Sequence, residues 1–476
     1  MDLGDWSLLL FAGTALLVHL LGLLHCLHVL IHVRSSQGAI AWMLAFLVMP
    51  WIAIPFYWVT GRTRFEGYVK ARRSGEGELR DISREMRKKL EDYSLPPDEA
   101  FGRAAEFLGG LPFTRGNQID LLIDGEETFP AIFEAIANAR EYLLINFYIV
   151  KHDQIGKRFQ QALIERAKAG VRIYFIYDGF GSHALDPDYI RALEGEGIQC
   201  HAFGVNRKWG SRLQLNFRNH RKIIVIDGKE AFIGGLNIGD EYLGRSKKFG
   251  KWRDTHLKLQ GPSVQAIQLV FLEDWNWVAN ELIDLHWNSS PQSADQHTAI
   301  IPTGPSDPAE SWKLMMAEAA NSARQRLWIT SPYFVPDGGV LTALQTASLR
   351  GVDVRILIPE MPDHLTVWLA AFTYQRQTLP FGIKLYKYTK GFLHQKTLLI
   401  DDSMAGVGTA NLDNRSFRLN FEITALSTNI KFIREIAAML EKDFASARLL
   451  AHNELDDRSF GFRLLARTAR LFSPIL

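Results

Sequence analysis

Residues 220–227 read HRKIIVID and residues 394–401 read HQKTLLID. Both are H-x-K-x-x-x-x-D. A histidine titrates near neutrality, and a lysine is a fixed cation with three donors. Seventeen residues past each histidine a Gly-rich turn delivers an asparagine, Asn237 and Asn411. Lysine ammoniums and asparagine amides are donors for an oxyanion, and two lysines can neutralise a phosphodiester and the charge that develops on its oxygens. One imidazole can attack phosphorus while the other protonates the leaving oxygen. The chemistry this set suits is phosphoryl transfer at His220 and His394, with Lys222, Lys396, Asn237 and Asn411 on the phosphate.

On a strand, residues two apart share a face. His220 and Lys222 therefore point together, as do His394 and Lys396. Asp227 and Asp401 complete the motif and are counted with the site. Their odd spacing turns them to the other face, where they pair or cap behind it. Each histidine also needs a partner that fixes its tautomer. Two acids are placed for that, Asp254 in KWRDTH and Glu422 in LNFEIT, 34 and 28 residues past their histidines. With each residue type at roughly one in twenty, one such motif arises by chance in about one chain in twenty of this length, and two in about one in several hundred. A buried histidine beside a snorkelling lysine would need that coincidence twice.

The elements around the motifs repeat as well. AREYLLINFYIV (139–150), a helical stretch and AGVRIYFIYD (169–178) form one strand–helix–strand unit. ARQRLWITSPYFV (323–335), a helical stretch and RGVDVRILIPE (350–360) form another. Such units specify parallel strands. The repeat spacing is 184 residues from Ala139 to Ala323, 181 from Gly170 to Gly351 and 174 from His220 to His394. Two copies at that spacing are a duplicated α/β domain rather than a solenoid.

The first sixty residues are of another kind. Trp6 to about Val33 is apolar without a charged residue, and Gly38 to about Thr60 is apolar again. Each run exceeds the roughly 20 residues that span a bilayer. The acidic start (Asp2, Asp5) and the second run argue against a cleaved signal. The pattern predicts a two-helix transmembrane hairpin with Trp6, Trp51, Tyr57 and Trp58 at the interfaces. His25, His28 and His32 share one helix face, read as an interfacial stripe. Arg62, Arg64, Lys70, Arg72 and Arg73 follow the second run, against Arg34 alone in the turn. That bias keeps the large C-terminal part in the cytoplasm.

The expected organisation is a hairpin at 1–61 (spans about 7–31 and 38–60), a linker at 62–115, domains at 116–290 and 291–447, and a basic tail at 448–476. The tail from Arg458 has four arginines and no acid among Phe and Leu, which reads either as a surface helix for anionic lipid or as a helix packed on the core. The net charge of +2 does not mark a nucleic-acid binder. Cys26 and Cys200, the only cysteines, do not make a disulfide framework or a zinc site.

The paired motifs and their trailing Gly/Asn segments resemble the phospholipase D superfamily over residues 116–445. AIAWMLAFLVMPWIAIPFYWVTGR, YDGFGS (177–182), WRDTHLKLQGP (252–262) and RLFSPIL (470–476) extend the resemblance to bacterial cardiolipin synthases along nearly the whole chain. The resemblance implies two α/β sandwiches sharing one interface site. It implies His220 as nucleophile and His394 as general acid, then base. The implied reaction moves a phosphatidyl group between two phosphatidylglycerol molecules through a phosphohistidine, without cofactor or metal. The implied setting is the bacterial inner membrane, multi-pass, with anionic lipids as partners and the oligomeric state open. Asp254 stands where the family pattern has Glu. A hydrolase using water, or a transferase using phosphatidylethanolamine, would carry the same motifs. A tethered nuclease would call for stronger positive charge, and a dead scaffold would not keep both sets intact.

Overall fold

Each half of the body contains a parallel strand pair bridged by a helix. In the computed structural model Tyr142–Phe147 runs parallel to Arg172–Asp178, with the helix Gln154–Lys168 between them. Arg326–Thr330 runs parallel to Asp353–Pro359 across the helix Gly338–Leu349. The same punctuation starts and stops both helices. Asp153 accepts from Gly156 N at 3.0 Å and Asp337 from Gly339 N at 2.7 Å, each an N-cap that satisfies an otherwise orphan amide. Gly170 (φ 88°) and Gly351 (φ 92°) follow the helices in the left-handed conformation that glycine adopts without penalty. The structure describes residues 3–33, 36–61, 78–95, 100–204, 216–288, 290–451 and 453–476. Arg34 and the basic residues Arg62–Arg73 lie outside them.

One sheet passes through both halves. From its centre outward the first half runs Thr114–Ile123, Thr255–Gln260, Glu230–Gly234, Ile223–Ile226, Tyr142–Phe147, Arg172–Asp178 and Gln199–Phe203. The second runs Gln296–Thr303, Asn420–Ser427, Met404–Gly408, Thr397–Ile400, Arg326–Thr330, Asp353–Pro359 and Lys384–Tyr388, with Ala447–Leu449 at the edge. The series correspond strand for strand. They meet where Thr114–Ile123 pairs antiparallel with Gln296–Thr303. Ile223–Ile226 and Thr397–Ile400 are buried at every residue, as strands covered on both faces must be. Phe159, Phe175, Ile224 and Phe232 lie in the first core, and Met315, Leu344, Ile356 and Leu398 in the second.

The stretch expected as a linker belongs in part to the body. The helix Ala100–Gly109 buries Phe101 and Ala105 in the second half's core beside Phe113 and Trp312. Those residues recur at helical spacing, and the apolar face they make needs a cover.

The N-terminal residues form a separate compact unit. One helix, Leu3–His32, contains a stretch long and apolar enough to cross a membrane. The second apolar run differs from the single span predicted for 38–60. It is two helices, Ser36–Val48 and Pro50–Thr60. Pro50 has no amide for residue 46 and pushes Met49 out of the helical region, to φ −141° and ψ 59°. Within this unit Cys26 and Val29 pack on Phe46, Ala53 and Tyr57. The histidine stripe faces the same way: Trp58 Nε1 donates to His25 Nε2 at 2.8 Å, and His28 Nδ1 lies 2.9 Å from Tyr57 Oη. Tyr57 is therefore buried inside this unit. Cys26 and Cys200 are both free thiols.

Candidate active site

The chain enters each motif through a two-residue strand, and that strand decides the site. Arg218–Asn219 pairs in parallel with Asn420–Phe421 of the other half. Phe392–Leu393 pairs in parallel with Trp252–Arg253. The ladder continues one step further: His220 N donates to Phe421 O at 2.9 Å, and His394 N to Arg253 O at 2.8 Å. His220–Lys222 and Gln395-centred His394–Lys396 are thus extended lead-ins. They are not part of the buried strands Ile223–Ile226 and Thr397–Ile400, where alternation alone had put them.

This crossing corrects the assignment of the acids. Glu422 does not serve the histidine that precedes it in its own half. His220 Nδ1 donates to Glu422 Oε2 at 2.8 Å. His394 Nδ1 donates to Asp254 Oδ2 at 2.8 Å. Each carboxylate reaches the opposite histidine because the residues just before it are hydrogen-bonded to the lead-in of the other motif. In both histidines Nδ1 is engaged, which leaves Nε2 as the nitrogen for chemistry. Both carboxylates are fully buried, and both histidines are 8 % exposed.

The carboxylates are held differently. Glu422 accepts from Thr409 Oγ1 (2.6 Å), Ser416 Oγ (3.0 Å) and Asn420 Nδ2 (3.1 Å). Asp254 accepts from the amide of Thr255 (2.8 Å) and, at 3.4 Å, from Trp252 Nε1. At the place matching Thr409 the first half has Gly235. A Cβ there would stand 1.9 Å from Asp254 Oδ1.

Burial is the largest influence on every titrating group here. It pushes both imidazoles down to about 4, helped by the lysines and opposed by the carboxylates. It pushes Lys222 down to about 7 and Lys396 to about 8, against the pull of Glu422 and Asp254. Burial alone would raise the acids. His394 and Lys396 outweigh it at Asp254, and His220 and Lys222 at Glu422, so both carboxyls fall below their usual range. At neutral pH the set is two carboxylates, two neutral imidazoles, a largely charged Lys396 and a Lys222 near its midpoint. An arriving phosphodiester adds one negative charge and raises the pKa of each base it faces, which favours a charged Lys222 and a protonated histidine.

Lys222 Nζ donates to His220 O at 2.6 Å, and Lys396 Nζ donates to His394 O. Asn237 is committed to local structure: Oδ1 accepts from Ile149 N at 3.0 Å and Nδ2 donates to Tyr242 Oη at 2.7 Å. Asn411 differs. Its backbone is held by Ser416 Oγ and Trp312 Nε1, and its buried Oδ1 makes no hydrogen bond.

Asp227 and Asp401 stand apart from this set. On the order of 20 Å of extended chain separates each from its histidine. Both adopt left-handed φ, 51° and 48°. Asp227 accepts from the amides of Arg140, Glu141 and Tyr142 at 2.9–3.0 Å. Asp401 accepts from Arg324, Gln325 and Arg326 at 2.8–2.9 Å. They fix the start of the neighbouring parallel strand and do not join the histidines.

Motif reading missed three groups. Tyr148 lies edge-on to His220, ring centroids 4.9 Å apart, with Lys222 Nζ 5.4 Å from its ring. Trp252 lies 5.2 Å from His394. A tyrosine at matching places in NFYIV and SPYFV was the available signal for the first. Arg221 is the third: Nη1 meets Asp274 Oδ1 at 2.7 Å and Nε donates to Glu422 O at 3.1 Å. Among the described residues no group of His, Cys, Asp and Glu is arranged to hold a metal ion.

A family model described as cardiolipin synthase, phospholipase D-like domain, matches residues 132–274 and 316–446. Cardiolipin synthase A of Pseudomonas fluorescens Pf-5 is 43% identical over 472 residues, 98% of this chain and 98% of the relative. Cardiolipin synthase A of Pseudomonas putida KT2440 is 43% identical over 465 residues, 97% of each. Among solved structures, phosphatidylserine synthase of Haemophilus influenzae Rd KW20 superposes with a TM-score of 0.59 at 16% identity. It covers 79% of this chain and 100% of its own; that likeness is one of fold.

Proposed function

Because this chain belongs to the cardiolipin synthase family with phospholipase D-like domains, we infer from its site how it makes cardiolipin as a phosphatidyltransferase. His220 Nε2 attacks the phosphorus of one phosphatidylglycerol. The bond from phosphorus to the glycerol headgroup oxygen breaks, and His394 gives that oxygen its proton. The glycerol hydroxyl of a second phosphatidylglycerol then loses its proton to His394 and attacks the phosphorus. The P–N bond breaks, His220 is regenerated, and cardiolipin and glycerol are the products. Lys222 and Lys396 hold the phosphoryl oxygens, and Asn411 is better suited than Asn237 to assist as a donor through Nδ2, since Asn237 spends its Nδ2 on Tyr242. Glu422 and Asp254 fix the two imidazoles and stabilise each as it becomes charged.

The observation that carries this reading is the crossed pairing of His220 with Glu422 and His394 with Asp254. It gives two oriented imidazoles in one buried cluster with two lysines, the requirement for double displacement at a phosphodiester. Both substrates keep acyl chains in the bilayer, and the apolar N-terminal unit suits an enzyme that stays with them. We assign that unit as a two-pass anchor of the inner membrane, with the body in the cytoplasm.

The test is a product assay in mixed micelles with labelled phosphatidylglycerol as the sole lipid, alongside His220→Ala. Cardiolipin and glycerol from the unsubstituted chain alone are expected. Phosphatidic acid without cardiolipin would make water the acceptor. Cardiolipin appearing only after phosphatidylethanolamine is added would overturn the acceptor assignment.

A further inference from the structure

The C-terminal helix Phe460–Arg470 has apolar residues on two sides, and folding uses one of them. Ser459 caps it at Phe462 N. Its inner side seats Phe462 on Trp368 and Phe372, with ring centroids 5.8 and 5.1 Å apart, and buries Ala466 and Ala469. Both readings of the tail thus have a surface: this side is packed on the body. Phe460, Leu464 and Leu471 recur at spacings that align them on the opposite side, where they are 73, 54 and 77 % exposed. Leu465 and Phe472 widen the patch, 58 and 48 % exposed. Five large apolar side chains in thirteen residues are more than a water-facing helix carries without a partner.

The charges around the patch name the partner. From Arg458 to the end there are four arginines and no acid. Arg458 lies over the Phe462 ring at 5.3 Å and Arg470 over Tyr374 at 5.4 Å, on the packed side. Arg463 and Arg467 fall by helical spacing beside the exposed stripe. An apolar stripe bordered by arginine is the pattern of a helix lying in the headgroup layer of an anionic bilayer. The segment also ends next to the site. Leu476 O accepts from Arg415 N at 2.8 Å, and the following Ser416 donates to Glu422, the acid on His220.

We propose that Phe460–Phe472 is a second membrane contact of this chain, its Phe460–Leu464–Leu471 stripe set among the headgroups of an anionic bilayer and Arg463 and Arg467 on lipid phosphates. This contact is independent of the transfer reaction and of the N-terminal anchor.

The experiment uses the full chain in a His220→Ala background, so that lipid composition stays fixed, in nanodiscs containing phosphatidylglycerol. A fluorophore is placed at Leu464→Cys or, separately, at Leu471→Cys. Lys168→Cys on the exposed end of another helix is the reference, and labelling of the native cysteines is subtracted with the unsubstituted chain. Nitroxide lipids are expected to quench the Leu464 and Leu471 probes several-fold more than the reference, and iodide several-fold less. Replacing phosphatidylglycerol by phosphatidylcholine, or introducing Arg463→Ser with Arg467→Ser, should reverse much of that difference. Equal iodide quenching at all three positions would overturn the proposal. Protection from iodide without quenching by lipid would also overturn it, since a protein surface would then cover the stripe.

Discussion

The two halves carry the same His-Lys-Asn set at the same internal spacing, yet they hold it by different means. In the second half, Glu422 is fixed by the hydroxyls of Thr409 and Ser416. In the first, the shorter Asp254 sits against Gly235 and a backbone amide. The middle residue of the motif differs too. Arg221 neutralises Asp274 on the helix Ser263–Ala279. The matching helix Ile430–Ala445 carries Asp443, and Gln395 supplies it only an amide, at 2.8 Å. Its cation is Arg253 from the first half, with bonds of 2.8 and 2.7 Å. Both helix aspartates are therefore balanced by arginines of one half. A duplicated domain can keep the geometry of its reacting atoms while its supports diverge, provided every buried charge retains a partner.

The largest effects should separate the crossed pairs. Glu422→Gln should slow formation of the covalent phosphatidyl adduct by about 10²–10⁴-fold, as it disorders the nucleophile. Asp254→Asn should act on His394, so the adduct forms slowly but persists. Quenched-flow with labelled phosphatidylglycerol distinguishes the two, and identical adduct kinetics would break the assignment of roles. Gly235→Ala should resemble Asp254→Asn, because its Cβ collides with the carboxylate. Thr409→Ala, at the matching place, introduces no collision but removes the bond to Glu422 and the acceptor of the Ile423 amide. It should cost about 1 kcal/mol in transition-state stabilisation, with a separate loss of fold stability.

The next contrast is in stability. Arg221→Gln gives the first motif the second's residue at that position and removes the Arg221–Asp274 ion pair. Breaking a buried pair in this way costs roughly 3–5 kcal/mol. Gln395→Ala removes a neutral donor from an aspartate that keeps Arg253 and an acceptor from the Thr255 hydroxyl, a loss of about 1–3 kcal/mol with no buried charge stranded. Denaturant unfolding of the detergent-solubilised chain measures both, and equal losses would contradict the shared-arginine account. Asp227→Ala and Asp401→Ala should destabilise by similar amounts, about 1–3 kcal/mol, since each strands three amides. Neither should alter the pH dependence of transfer, because neither touches the histidines.

The smallest effect is the pH profile. In the free enzyme Lys222 and Lys396 have pKa values lowered to about 7 and about 8. They are charged below those values and neutral above, so kcat/KM should fall as pH rises through 7 to 8. The nucleophile His220, lowered to about 4, must be neutral and places the acid limb there. Lys222→Arg keeps its charge throughout and should move the alkaline limb toward about 8. Lys396→Arg should leave it near 7. A limb unmoved by either variant would assign it to another group.

The sequence alone determined the duplication, the parallel strand pairs and the identity of the histidines, lysines and acids. Those are local facts: apolar runs of strand length, helix stop signals at Gly170 and Gly351, and two motifs too specific to coincide. The aspartates ending the motifs do stand away from the histidines, but because each turns left-handed after its strand to bind the neighbouring strand's amides, which strand alternation did not foresee. Which acid serves which histidine was not local. That was decided by Arg218–Asn219 and Phe392–Leu393, strands too short to show periodicity, each pairing with a stretch about 200 and 140 residues away. The break in the second apolar run was in principle legible at Pro50, but hydropathy averages over a single missing amide. The depressed lysine and histidine pKa values likewise exist only once both halves close over the site, because desolvation belongs to the assembled cluster and to no single stretch of chain.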